Sequence, residues 1–364
     1  MVHKCQWQTS AELGALNPVR SISLQDLGEV DPHSPLGLEW DQIVRTNPAS
    51  GFMQSAHWAK YKRQSGWTVH HLGLFDNDQL FGGAIFYAAQ NAKGAGFLAA
   101  PDGPVLPWED LERAESGLQM LVACTQSDAR SLGSMAMRIA PRLSALPGEI
   151  LRHFSRAPLN LTEPKTLYLD LSNGPEALLR GIKPKARYNI GLAERRGVSI
   201  REENSLSAAR DFHTLMQTVA VRNGFAVEPL SVFVSLIETL CPEGVARVFF
   251  AEHEGNILAA MLMIKFGDRA TYLYGGTSEI KRNLMGGYAL HWAAIKSACE
   301  SGAKIYDFWG FDPGVAPDHS YAGFSRFKSQ FCGTSIELIG TWDFYFMDQL
   351  ADVVIRAFKE VSVT

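Results

Sequence analysis

No two cysteines in this sequence stand close enough to form a C-x-x-C pair. The five present, Cys5, Cys124, Cys241, Cys299 and Cys332, are scattered and odd in number. That argues against a disulfide framework or a structural zinc site, and for reduced thiols in the cytoplasm. Long apolar runs are also missing: Gly or charge breaks every candidate for a membrane span. Met1 to Gln8 are too polar for the apolar part of a signal peptide, so the protein is expected to stay in the cytoplasm where it is made. Charge of one sign is not in excess. A net charge of -4 and a pI near 6.2 speak against a surface coated for DNA, while leaving room for a local basic patch.

Several catalytic kits are absent too. The chain has no G-x-S-x-G elbow, no H-E-x-x-H pair, no Walker loop and no G-x-G-x-x-G after a strand. His70, His71, His213 and His291 have no acidic or Cys partners at ligand spacing, so they read as core or surface side chains, and no metal site is expected. What remains is 364 residues, 46% hydrophobic and 20% charged, which is too long for one ordinary core and suits two packed domains.

The hydropathy pattern repeats. Residues 1–40 are Pro-, Gly- and Asp-rich without a clear period and read as an N-terminal extension. His70 to Phe75 alternates like a strand, Asp76-Asn77-Asp78 is a turn and Leu80 to Ala88 returns. A loop, a helix from Trp108 to Ser127 and a strand from Met135 to Ile139 follow. The second half has the same order: strands at 247–252 and 257–266, a further strand at 270–274 ended by Gly275-Gly276, a helix at 287–301 and a strand at 304–308. Leu80 and Ile257 lie 177 residues apart, and Met135 and Ile305 lie 170 apart. Similar order at a nearly constant offset is what duplication leaves, with chance similarity of two α/β halves as the alternative. Helices starting at Gly174-Pro175, Pro184, Ser205 and Pro229 fill the space between the copies.

Three segments could carry chemistry. Arg282-Asn283-Leu284-Met285-Gly286-Gly287 enters a helix, where backbone amides could hold phosphate; a simple turn into the helix explains the glycine pair equally well. In Ser325-Arg326-Phe327-Lys328-Ser329, a lysine beside aromatics is placed to hold a phosphate or an oxyanion, against the plainer reading of a surface lysine on an edge strand. Lys183, Lys185, Arg187, Arg195, Arg196 and Arg201 are concentrated around one helix, with Arg187 and Arg195 roughly on one face. They could meet an RNA backbone or simply form a solvated face. Asp307 closes a strand and is expected to shape its mouth rather than act as a base.

The order of strands and helix in each half is that of the GNAT acyltransferases. Met53-Gln54-Ser55 with Trp58 and Lys62, Ala100-Pro101-Asp102-Gly103-Pro104-Val105, Lys185 to Ile190 with Arg196-Gly197-Val198, and Arg222-Asn223-Gly224-Phe225 resemble the FemABX aminoacyltransferases. So do Tyr272 to Thr277, Tyr306 to Gly310 and Phe327-Lys328; together the matches cover about residues 50–345. The chain lacks the long coiled-coil arm and resembles the compact, FemX-like members.

The resemblance implies an α/β (α+β) fold of two tandem GNAT-like domains, each a mixed twisted sheet flanked by helices: 41–162, with 342–364 returning to it, and 163–341. It implies transfer of an amino acid from aminoacyl-tRNA to an amine of a peptidoglycan precursor stem peptide, with no cofactor. Lys328 and Phe327 match the essential pair near the tRNA end. Lys62, Tyr274, Trp58 and Arg222 are implied to bind the precursor, and Lys185, Arg187, Arg195, Arg282, Gly286 and Gly287 the donor. The pattern departs where Glu228 replaces an arginine for the diphosphate, Val232 a tyrosine and Ala140 an acidic residue. The precursor could therefore be nucleotide-linked or lipid-linked, the latter with peripheral contact at the inner membrane face, or the acceptor could be a peptide natural product. Two alternatives stay open. One is an N-acyltransferase using acyl-CoA through the Arg282 to Gly287 loop. The other is a non-catalytic binding protein, against which retention of Lys328 argues.

Overall fold

The chain punctuates itself with local chemistry. Asn77 and Asp78 both adopt positive φ (47° and 67°), as do Glu254 and Gly255 (48° and 75°), which makes two tight hairpin turns of the same hand. Ser34, Ser55 and Ser205 cap three helices by accepting from Gly37, Trp58 and Ala208 N–H groups, and Gly224 ends the third in the left-handed region (φ 71°).

The computed structural model describes residues 22–90, 96–129, 133–316 and 320–347. Residues 1–21 of the expected extension, with Cys5, and 348–364 of the expected returning segment lie outside them. The first elements are β1 (Ile22–Asp26), α1 (Pro35–Thr46), α2 (Ala56–Gln64), β2 (Val69–Asp76), β3 (Gln79–Gln90), β4 (Gly96–Pro101), α3 (Leu111–Asp128), β5 (Ser134–Ala140) and β6 (Ser155–Arg156). Then come β7 (Lys165–Asp170), α4 (Gly174–Gly181), α5 (Pro184–Arg195), β8 (Ser199–Glu202), α6 (Leu206–Asn223) and α7 (Leu230–Leu240). The rest are β9 (Ala246–His253), β10 (Asn256–Phe266), β11 (Arg269–Thr277), α8 (Gly286–Glu300), β12 (Ile305–Asp307), α9 (Ser320–Lys328), β13 (Thr334–Glu337) and β14 (Trp342–Tyr345).

These fall into two compact units, residues 22–164 with 338–347, and 165–337. Each holds one seven-stranded sheet: β1-β2-β3-β4-β5-β14-β6 in the first and β8-β9-β10-β11-β12-β7-β13 in the second. Pairing directions match strand for strand, antiparallel throughout except for β4 with β5 and β11 with β12. The correspondence reaches the bulges. Phe81 in β3 and Leu258 in β10 are each an extra residue against the preceding strand, 177 positions apart. Such agreement of irregularities supports duplication over chance.

Residues 22–40, expected as an extension, supply β1 and the start of α1, and Trp40 is fully buried with its indole N–H on the Gln54 carbonyl (2.7 Å). Gln54 in turn bridges two strands. Its amide donates to the Ile85 and Pro101 carbonyls (3.0 and 2.9 Å) and accepts from Ile85 N–H (2.8 Å).

In the second unit α6 and α7 cover one face of the sheet, while α8 and α5 cover the other. Gly275-Gly276 does not end a strand as expected, because β11 runs on to Thr277. Lys328 is not on an edge strand; it is the last residue of α9.

Candidate functional site

The two sheets differ at their centres. In the first unit β4 is paired with β5 along its whole length, and Ala140 N–H continues the seam to the Gly103 carbonyl (3.0 Å). In the second, β11 and β12 share three pairs, ending at Thr271 with Asp307, and β11 then runs six residues further without that neighbour. A cavity of about 430 Å³ lies along this stretch. Tyr272, Thr277, Leu290, His291, Phe327 and Lys328 line it, with exposed Arg222, Glu279 and Arg282 at the rim.

Asp307 makes the strands part. Buried at the end of β12, it accepts from the Thr166 hydroxyl and from Trp309 N–H (2.9 Å), folding the chain back on itself. Trp309 follows with φ 51° and Gly310 with φ 34°, and the turn aims their carbonyls at α9. Lys328 meets them there. Its ammonium donates to Trp309 O (2.6 Å) and Gly310 O (2.7 Å) and lies 5.5 Å from the Tyr272 ring centroid. The lysine is only 6% exposed yet lines the cavity, so its charge acts in a poorly hydrated setting. Phe327 packs on Tyr288 and His291, with ring centroids 4.9 and 5.1 Å apart.

A bulge decides which tyrosine belongs to the site. Leu262 pairs with Tyr274 and Met263 with Tyr272, leaving Leu273 as the extra residue of β11. Ordinary alternation would put both tyrosines on one face; the bulge separates them. Tyr272 packs edge-on against His291 (4.6 Å) on the cavity face, whereas Tyr274 packs against Phe233 of α7 (5.6 Å). A Cβ at Gly275 would stand 2.6 Å from the Tyr272 ring, which is why glycine follows the bulge. Burial, then the nearby Glu228 carboxylate, pushes the Tyr274 phenol up to about 12.

At the rim, Arg222 donates to the Thr277 carbonyl (2.9 Å) and to Glu279 (2.6 Å), and Arg282 donates to both oxygens of Glu279 (3.2 and 3.0 Å). Arg282 first, then Arg222, holds this carboxyl below its usual range. Gly287 lines the cavity, but Gly286 has a packing reason: a Cβ there would meet Leu258 Cβ at 2.8 Å.

The basic helix divides. Arg187 turns inward and donates to the Arg180 and Ile182 carbonyls (the latter at 3.1 Å), closing the end of α4. Lys185 and Arg195 remain exposed, the Arg195 guanidinium lying 5.8 Å from the Tyr188 ring centroid. Lys62 and Trp58 belong to the first unit. The Lys62 ammonium stands among three rings, Trp67, Tyr61 and Trp58, at 4.5, 5.5 and 5.7 Å.

Thus the cavity unites Lys328, Phe327, Arg222, Arg282 and Gly287 from the expected set. It adds Tyr272, Glu279 and His291, which sequence reasoning missed. Gly287 and His291 are four apart, one helical turn, and that was the available signal for His291.

A model of the FemAB family matches residues 36–143 and 244–358. The chain is 21% identical to a Lipid II:glycine glycyltransferase of Staphylococcus saprophyticus, over 86% of this chain and 92% of that one. It is 23% identical to a UDP-N-acetylmuramoylpentapeptide-lysine N(6)-alanyltransferase of Weissella viridescens, over 78% and 86%. The crystal structure of FemX superposes with a TM-score of 0.77 at 18% identity, covering 87% of this chain and 98% of that one. The expected pair of GNAT-like units is thus the fold observed. With the family model spanning well over half of its length, the chain belongs to the FemAB family.

Proposed function

We propose that the chain is an aminoacyltransferase that adds an amino acid to an amine of a peptidoglycan precursor stem peptide, as in interpeptide bridge formation. The carrying observation is the buried Lys328 ammonium, fixed by two carbonyls in a cavity where the central strands part. The names of the relatives, one acting on lipid II and one on a nucleotide-linked muramoylpentapeptide, support this choice of acceptor.

The donor we propose is aminoacyl-tRNA, whose ester is already activated, so no cofactor is required. The acceptor nitrogen attacks the ester carbonyl, the carbonyl electron pair moves onto oxygen, and Lys328 stabilises that oxyanion. Collapse breaks the bond to the ribose oxygen, which leaves as a hydroxyl carrying the proton lost by the amine. The enzyme's remaining task is alignment. Arg282 at the rim, with Lys185 and Arg195 on α5, supplies cationic groups for the donor's phosphates, and Arg222 offers one to the precursor. Such donors and precursors place the reaction in the cytoplasm. No helix among the described residues is long and apolar enough to cross a membrane, and a lipid-linked acceptor would be met at the inner membrane face.

The test supplies purified protein and a cell-wall precursor extract with labelled aminoacyl-tRNA or labelled acyl-CoA. Transfer that RNase abolishes is the expected result. RNase-insensitive transfer from acyl-CoA would replace the donor assignment with the other reading and move attention to Gly287.

A further inference from the structure

His291 has no role in the chemistry above, yet its side chain lines the same cavity as Lys328 while being only 4% exposed. Aromatic rings fix its plane: Phe308 stacks on it at 5.4 Å and 22°, and Tyr272, Phe327 and Phe331 surround it at 4.6, 5.1 and 5.7 Å. Nδ1 faces the core, 3.2 Å from the Tyr306 hydroxyl. Nε2, on the other side of the ring, has no hydrogen-bond partner among the described residues.

The proton's position follows from Tyr306. Its fully buried hydroxyl has two acceptors within reach, His291 Nδ1 and the Met261 sulfur at 3.8 Å. A thioether is a weak acceptor and an imidazole nitrogen a strong one. This favours the arrangement in which the hydroxyl donates to Nδ1 and the ring proton resides on Nε2 over the one in which Nδ1–H donates to the Tyr306 oxygen and the hydroxyl turns to sulfur. Burial, and then the charge of Lys328, lowers the imidazole pKa to about 3, so the ring is neutral at working pH and carries a single N–H. Being uncharged, it can stand beside the ammonium without repulsion.

We infer that His291, held in its Nε2–H tautomer by Tyr306, donates from Nε2 into the cavity and shares with Lys328 the stabilisation of the oxyanion formed during acyl transfer. This rests on the acyl-transfer reading above. It assigns Tyr306 as the positioning residue and His291 as a second donor, and it gives the His291 ring a reason to line the cavity while bonding through Nδ1 into the core.

The experiment combines a readout of the ring with a readout of the reaction. Long-range ¹⁵N–¹H correlation spectra of the full chain labelled at histidine, with His291 assigned by its loss in His291→Gln, report the tautomer directly. The inference expects a protonated Nε2 and a bare Nδ1 from pH 6 to pH 9, and a mixture of tautomers in Tyr306→Phe. In single-turnover transfer, His291→Leu is expected to slow the chemical step about 10²- to 10³-fold with donor KM unchanged. His291→Gln, which keeps an N–H, is expected to restore most of that loss. A proton on Nδ1, a ring that titrates near pH 6.5, or a His291→Leu enzyme with the wild-type rate overturns the role while leaving the transferase reading intact. Failure of the wild-type chain to transfer from any donor overturns both.

Discussion

Tyr272 and Tyr274, two residues apart on one strand, face opposite sides of their sheet because Leu273 between them is bulged out of register. The ring beneath the Lys328 ammonium is therefore that of Tyr272. A cation over an aromatic face in a desolvated site is worth about 1–2 kcal/mol. Tyr272→Leu is expected to lower the transfer rate by about 5- to 30-fold, Tyr272→Phe to keep most of it, and Tyr274→Phe to leave it nearly unchanged. A larger loss from Tyr274→Phe than from Tyr272→Leu would mean that Tyr274, not Tyr272, faces the reaction.

Removing the ammonium itself should be more costly. Lys328→Met retains the stem but loses the charge, and about 10²- to 10³-fold of the rate is expected to go with it. Stability should fall as well, by about 1–3 kcal/mol, because the Trp309 and Gly310 carbonyls lose their donor. Rapid-quench kinetics and urea unfolding separate the two effects, and an unchanged rate in a folded variant would refute the assignment.

The arginines of α5 are expected to separate by phenotype. Arg187→Ala loses the bonds that close α4 and should destabilise the protein by about 1–2 kcal/mol with donor KM unaltered. Arg195→Ala and Arg282→Ala should leave the unfolding midpoint in place, raise donor KM and reduce the salt dependence of binding by roughly one charge each. Glu279→Gln, which frees Arg222 and Arg282 from their shared carboxylate, should move KM the other way.

Gly286 is a packing glycine, and alanine there is expected to cost about 1–3 kcal/mol by pushing α8 away from Leu258. At Gly287 the added methyl would meet only Thr277 Cγ2, at 3.0 Å, so the Gly287→Ala loss should be smaller and relieved by Thr277→Ser. Thermal melts of the three variants decide this, and an equal, unrelieved loss at Gly287 would contradict it.

Stability should depend on pH through two buried imidazoles. His71 is fully buried on Trp40 with neither ring nitrogen hydrogen-bonded among the described residues, and its pKa falls to about 3, as does that of His291. Both folded values lie below the ordinary 6.5, so below pH 6.5 the unfolded chain binds the extra protons. Folding free energy is therefore expected to decline as pH drops from about 6.5 toward 3, at up to about 1.4 kcal/mol per pH unit for each histidine. His71→Phe should flatten this slope, with His291 and the half-buried His70, also lowered by burial, supplying the remainder; a slope unchanged in urea titrations at pH 4–7 would rule out His71 as a contributor.

Sequence pattern captured the fold well because it is written in turns and periods. Turn residues at Asn77-Asp78 and Glu254-Gly255, each between two apolar runs, mark the hairpins, and a near-constant offset exposes the duplication. Lys328 was legible through its resemblance and its aromatic neighbours. Less visible were features set by pairing partners: the bulge at Leu273, the inward turn of Arg187, and the ring of His291, whose side depends on how α8 is rotated over the sheet. β1 was hidden because a short edge strand with one solvated face carries little periodicity.

The parting of β11 and β12 has a further consequence. For its first three residues β11 is an interior strand, and for the next six it is an edge. An exposed edge invites other chains to add to the sheet and aggregate. This one opens onto a cavity lined by residues of α8 and α9, which leave less room for another chain to pair along it. The same helices that enclose the proposed reactant site in this way also shield a strand edge from unwanted self-association.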